Sequence, residues 1–142
     1  MTTLSQLLEQ KGRMVVAIGP DEPVLEAVRA MAERHVGALM VLENGHLSGI
    51  VSERDYARKV VLQGRSSAET PVRAIMTSNV LTVMPDTTVH EAMRIMTDQR
   101  IRHLPVVTHG QLVGVVSIGD LVKAVIEEQQ VEIDALQAYI RG

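Results

Sequence analysis

Laid on itself at an offset of 65, the sequence matches at 15 of the 36 positions from Pro20 to Asp55, without a gap. Pro20-Asp21 falls on Pro85-Asp86, and Val24, Glu26 and Ala27 on Val89, Glu91 and Ala92. Further along, Gly45, Leu47 and Gly49 fall on Gly110, Leu112 and Gly114, and Ser52 and Asp55 on Ser117 and Asp120. A recurrence of this kind restricts the fold before any local reading, because whatever one copy forms the other must form too. The chain has 142 residues, so each copy is a unit of roughly 60 residues. Units of that size bury too little surface to be comfortable alone. Two copies packed on each other, most simply about a pseudo-two-fold axis, relieve that.

Each copy reads as strand, helix, strand, strand, helix. The extended segments are Met14 to Ile18 and Val80 to Val83. Helices follow over Pro23 to Arg34 and Thr88 to Arg100, with 3–4 spacing in Val24, Val28, Met31 and in Val89, Met93, Met96. Asp21 and Asp86 are the expected caps, since a carboxylate suits a helix N-terminus. Two short strands come next, Ala38 to Leu42 and Leu47 to Ser52, joined by Asn44-Gly45, a pair that tolerates positive φ in a tight hairpin. His109-Gly110 is the weaker counterpart. Second helices are expected over Asp55 to Gln63 and from Gly119 onward. The predicted fold class is α/β: two tandem β-α-β-β-α repeats in one module. The expected boundaries are a lead-in over 1–13, repeat one over 14–63, a Gly/Ser-containing linker over 64–76 with a helical turn at Val72 to Met76, repeat two over 77–127, and a helical extension over 128–142. In that extension Ile133, Leu136 and Ile140 keep the 3–4 spacing past the end of the repeat. This stripe either packs back on its own chain or serves self-association.

Composition removes several classes of function. The net charge is −3 and only two residues are aromatic, both Tyr, so neither a phosphate-neutralising basic surface nor base-stacking platforms are present. There is no Cys, which excludes disulfides, thiolate metal sites and cysteine nucleophiles. His35, His46, His90, His103 and His109 show no i, i+4 pair, and His90-Glu91 lacks the second His of a zincin. Gly-x-Ser-x-Gly, the P-loop pattern and Gly-x-Gly-x-x-Gly are absent. No enzyme is expected; a small nucleotide hydrolase would need a nucleophile or metal that the sequence does not offer. No apolar run reaches the ~18 residues that span a bilayer. Met1 to Arg13 has no basic start leading into an apolar stretch, so no signal peptide is read and a cytoplasmic protein is expected.

At the end of the last strand in each copy stands Gly-apolar-apolar-Ser-x-x-Asp: Gly49 to Asp55 and Gly114 to Asp120. The Gly allows close approach of backbone or ligand. The Ser lies where a strand turns into a helix, a place with free N–H groups that favour an anion. The Asp can accept from two vicinal hydroxyls, as acidic residues do with ribose. A ribose phosphate suits the set. Ser-x-x-Asp is equally a helix-capping arrangement, and the motif alone does not separate the two readings.

The repeat, the stretch Ile101-Arg102-His103-Leu104-Pro105-Val106-Val107 and the Gly114 to Asp120 run together resemble the cystathionine-β-synthase (CBS) domain family, as a stand-alone tandem pair over about residues 14 to 127. Copy one departs from it, with Gly37-Ala38-Leu39-Met40 where copy two has Arg102-His103-Leu104-Pro105. The resemblance implies two clefts for adenosine-containing ligands: AMP, ADP or ATP, with S-adenosylmethionine and NAD(H) in the same class. It implies that Asp55 and Asp120 hold ribose hydroxyls and that Ser52 and Ser117 contact phosphate. Val15 and Val16 would line the adenine in one cleft, Val80 and Leu81 in the other, with Pro105 counted beside Arg102 and His103. Phosphate needs cations or donors, and the natural sources are Arg54, Arg102 and His103. The expected role is regulation or signal transduction that senses cellular energy or redox nucleotides, with no catalytic cofactor. The expected partners are a second copy in a homodimer and an unidentified regulated protein, with no nucleic acid and no membrane. The alternative is a protein-interaction scaffold whose capping motifs are purely structural. The unequal copies imply that the Asp120 cleft takes the compact mononucleotide and that the Asp55 cleft is weaker or takes a longer ligand.

Overall fold

The computed structural model describes residues 1–141. The chain divides into two compact units, one of residues 14–81 with 110–112, the other of residues 1–13, 82–109 and 113–142. Each carries one copy of the repeat.

In the first-copy unit, β1 (Ala17–Ile18) pairs in parallel with β2 (Ala38–Glu43), which pairs antiparallel with β3 (His46–Ser52). The β2–β3 turn has Asn44 at φ 53° and Gly45 at φ 80°, the two left-handed positions that Asn-Gly accommodates. Here α1 denotes Leu4–Lys11 of the other unit, and α2 (Val24–Arg34) covers one face of this sheet with Val24, Ala27 and Met31. They meet Ile18, Leu39, Val41 and Val51 in the core. Asp21 does not cap α2. The cap position is Pro23, which lacks a side-chain hydrogen bond, and Asp21 instead pairs with Arg73 at 3.1 Å. Beyond β3 the helix expected over Asp55 to Gln63 is α3 (Glu53–Tyr56), which passes into a π-helical turn over Ala57–Val61 and ends at Gly64 with φ 66°.

The second-copy unit repeats the plan with α4 (Val89–Gln99), β4 (His103–Thr108), β5 (Gln111–Ser117) and α5 (Ile118–Arg141). Thr88, not Asp86, caps α4, its hydroxyl accepting from Glu91 N at 3.2 Å. His109-Gly110 takes the same left-handed pair as Asn44-Gly45, with φ 51° and 74°. The expected strand at Val80 to Val83 contracts to one parallel bridge between Val83 and Val106. The reason is Pro105. In copy one Met40 N donates to Val16 O at 3.1 Å; Pro105 holds Met40's place and has no N–H to donate. Pairing remains only where Val83 N donates to Pro105 O (3.0 Å) and Val107 N to Val83 O (2.8 Å).

A second, shorter recurrence organises the units. Thr2-Thr3-Leu4-Ser5-Gln6-Leu7-Leu8 occupies in one the place that Thr70-Pro71-Val72-Arg73-Ala74-Ile75-Met76 occupies in the other. Val89 N donates to Thr2 O (2.9 Å) as Val24 N does to Thr70 O (2.8 Å). Leu4 N donates to Thr87 O (2.8 Å) as Val72 N does to Glu22 O (2.9 Å). Leu4, Leu7 and Leu8 are buried in one core, Val72 and Ile75 in the other. The segments read as lead-in and linker therefore each close a hydrophobic core. Leu8 lies on Gly114 and Met76 on Gly49. These two glycines admit protein atoms, not a ligand.

That close approach sets a mutational order. A Cβ at Gly49 would stand 2.8 Å from Thr77 O and 2.7 Å from Met76 Sδ, and the backbone oxygen cannot turn aside. One at Gly114 would meet the Leu8 side chain, its methyls at 2.8 Å and its Cγ at 3.3 Å, which can turn aside. Gly49→Ala is expected to cost about 2–3 kcal/mol and Gly114→Ala about 1 kcal/mol, read from urea midpoints at constant m-value.

Candidate functional site

Both Ser-x-x-Asp motifs form capping boxes. Ser52 Oγ accepts from Asp55 N (3.1 Å), and Asp55 Oδ2 accepts from Ser52 N (3.0 Å). Ser117 Oγ accepts from Asp120 N (3.1 Å), and Asp120 Oδ2 accepts from Ser117 N (2.8 Å). The first helical N–H in each copy is also satisfied: Glu53 N donates to Gly37 O (3.0 Å) and Ile118 N to Arg102 O (2.9 Å). The ring of free backbone donors expected for a phosphate is thus mostly engaged.

The two copies differ in what remains. In copy one the Ser52 hydroxyl donates to Asp55 Oδ2 (3.0 Å), and Lys59, one helical turn on, pairs with Asp55 Oδ1 at 3.2 Å. Lys59 also donates to Ile75 O at 2.8 Å. The Ser and both carboxylate oxygens of copy one are committed. In copy two the cation is Lys11, from the last turn of α1, which pairs with Asp120 Oδ2 and donates to Val115 O at 2.7 Å. Among the described residues, Asp120 Oδ1 accepts no hydrogen bond, while the Ser117 side chain also acts on the Asp120 carboxylate.

Burial works against the charge of Asp120, but hydrogen bonds from Lys11 and Ser117 outweigh it and hold the carboxyl below its ordinary value. His103 beside them is pulled below its ordinary value, first by burial and then by the Lys11 charge. The shift favours the neutral ring, whose N–H remains a donor. Arg54 and Arg102 are exposed. Pro105 is buried in β4, and Val15 and Val16 are half-buried just before β1. Val80 is half-buried and Leu81 exposed, both in the first-copy unit. Lys11 and Lys59 were missed in the sequence reading. Lys59 was legible from its i+4 relation to Asp55; Lys11 stands 109 residues from Asp120 and gave no signal. Among the described residues no cluster of His, Asp and Glu could hold a metal, and no helix is long and apolar enough to cross a membrane.

Duplicate small α/β units, each with an acid-capped helix at the end of its last strand, define the class. Residues 12–62 and 72–127 match the CBS domain family, and the chain belongs to that family as a tandem CBS pair. It is 45% identical over 150 residues to the mitochondrial CBS domain-containing protein CBSX3 of Arabidopsis thaliana, covering 99% of this chain and 73% of the relative. A CBS-domain protein of Burkholderia ambifaria MC40-6 has the same fold with a TM-score of 0.86 and 48% identity, over 90% of this chain and 96% of the other. The CBS domain pair of protein MJ0100, solved in complex with 5-methylthioadenosine and S-adenosyl-L-methionine, matches with a TM-score of 0.79 over 90% of this chain and 98% of its own, at 23% identity.

Proposed function

We propose that the chain is a regulatory module that binds an adenosine-containing ligand at the Asp120 site and transmits its occupancy to a partner, with no chemistry of its own. The observation that carries this is the asymmetry of the two acid-capped junctions. Both carboxylate oxygens of copy one's Asp are committed, whereas copy two keeps one carboxylate oxygen unengaged beside a lysine and an imidazole. A carboxylate oxygen accepting from ribose, a serine donating to phosphate and a lysine turning toward it match the chemistry of AMP. The MJ0100 pair, with its two adenosine compounds, supports that ligand class. Arg102 is the second cation near that junction. Asp55, with Ser52, Arg54, Val15 and Val16, forms the weaker subsite, and Pro105 of β4 is assigned to the adenine at the Asp120 site. ADP, ATP, NAD(H) and S-adenosylmethionine are the competing ligands. We place the module in the cytoplasm, as a homodimer with a protein target.

Ligand occupancy shifts an equilibrium only by its differential affinity for two states. The test is a thermal-shift panel of AMP, ATP, NADH and S-adenosylmethionine. A ligand at 100 times its Kd adds about 2.7 kcal/mol, a rise of several degrees for a chain of this size. No rise with any of the four favours the scaffold reading, to which the complete capping boxes also lend support.

A further inference from the structure

The helix α5 runs well past its last core contact. Leu121 is buried and Ala124 and Val125 lie against the core, yet every residue from 129 to 141 is exposed. Val122, Ile126, Gln129, Ile133, Leu136 and Ile140 recur at alternating steps of four and three. At 100° per residue they form one stripe beside the core-facing one, about 27 Å long. Its apolar members are 41%, 59%, 46%, 63% and 81% exposed. Four-three alternation is the heptad rule, with Ile126, Ile133 and Ile140 at the a positions and Val122, Gln129 and Leu136 at d.

We propose that this stripe is a seam for a second copy of the chain, the two α5 helices pairing as a parallel, in-register, two-stranded coiled coil. Three features choose that occupant. Ile at every a position, with Leu136 at one d and no Ile at any d, favours two strands over three or four. In register, Gln129 faces Gln129 of the second copy, and each amide can donate to and accept from the other. The antiparallel register that matches a with d instead buries Gln129 on Ile133 and sets Glu132 against Glu132, a like-charge contact. A larger partner with its own groove has no need of a heptad. The proposal is independent of the ligand reading, since no seam residue belongs to the Asp120 site.

The absence of Cys makes the test clean. In the full chain, Gln129→Cys is expected to yield a disulfide-linked dimer on mild oxidation, because in-register d positions face each other. An equimolar mixture of Ile126→Cys and Leu136→Cys is expected to give no mixed dimer. Ile133→Asp and Ile140→Asp, both at exposed positions, are expected to halve the mass in sedimentation velocity without lowering helical circular dichroism by more than the fraying of the last turns. A mixed dimer with no Gln129→Cys product would overturn the parallel geometry. An unchanged mass in both Asp variants, or a monomeric parent chain, would overturn the seam itself.

Discussion

Asp120→Asn is expected to weaken AMP binding about a hundredfold in a calorimetric titration, and Asp55→Asn to change it by less than about threefold. A carboxylate oxygen accepting from two vicinal hydroxyls makes two charge-assisted hydrogen bonds, each worth about 1.5–3 kcal/mol. Losing about 3 kcal/mol of that is two powers of ten in Kd. The inequality comes from geometry. Asp55 Oδ1 already pairs with Lys59 and its Oδ2 with Ser52, so a ligand must displace protein contacts there before it gains any. Asp120 Oδ1 is open. Binding of adenosine, which lacks the titrating phosphate, is expected to stay flat from pH 8 to about 7, where Asp120, held below its ordinary value, stays ionised and His103, held below its own, stays uncharged. Comparable losses in the two variants would mean that the committed copy binds as well as the open one.

The largest stability effect is expected from the chain's first residues. Leu4→Ala and Leu8→Ala should each cost about 3 kcal/mol, because both side chains are at most 1% exposed and their loss leaves cavities in the second-copy core. Removing residues 1–11 deletes three buried leucines, the backbone bonds from Leu4 and Ser5 to Thr87 and Pro85, and the Lys11 contact to Asp120. Hydrogen exchange at α4 and β4 should then approach unfolded rates, even though those elements lie more than 75 residues away in sequence. A dispensable leader would leave both measurements within about 0.5 kcal/mol of the parent.

The core of each unit was legible because its signals are local and occur twice. Alternation, 3–4 spacing and Asn-Gly place α2, β2 and β3 to within a residue or two, and the offset of 65 carries them to α4, β4 and β5. What was not legible depends on contacts distant in sequence. Thr2 to Leu8 and Thr70 to Met76 share a single identity, so no self-comparison finds them, and their equivalence rests on backbone donors meeting Pro85, Thr87, Pro20 and Glu22. Asp21 and Asp86 were expected to cap because capping chemistry is plausible at either of two neighbouring positions; the backbone turns into the helix at Pro23 and Thr88 instead. The shortened strand at Val83 follows from Pro105, whose missing N–H was visible in the sequence but gains meaning only once Met40 is seen to donate from the same place. At the candidate site the Ser and Asp were found and their lysines were not. The inequality between the copies therefore lies in residues outside the motif.

The most direct measurement is a ¹⁵N chemical-shift titration with AMP. Binding at an open acid-capped junction predicts saturable movement of the Ser117, Gly119 and Asp120 amides, with smaller changes at Ser52, Arg54 and Asp55. Amides at both junctions that stay still at millimolar AMP, ATP, NADH and S-adenosylmethionine would leave these carboxylates as helix stops and nothing more.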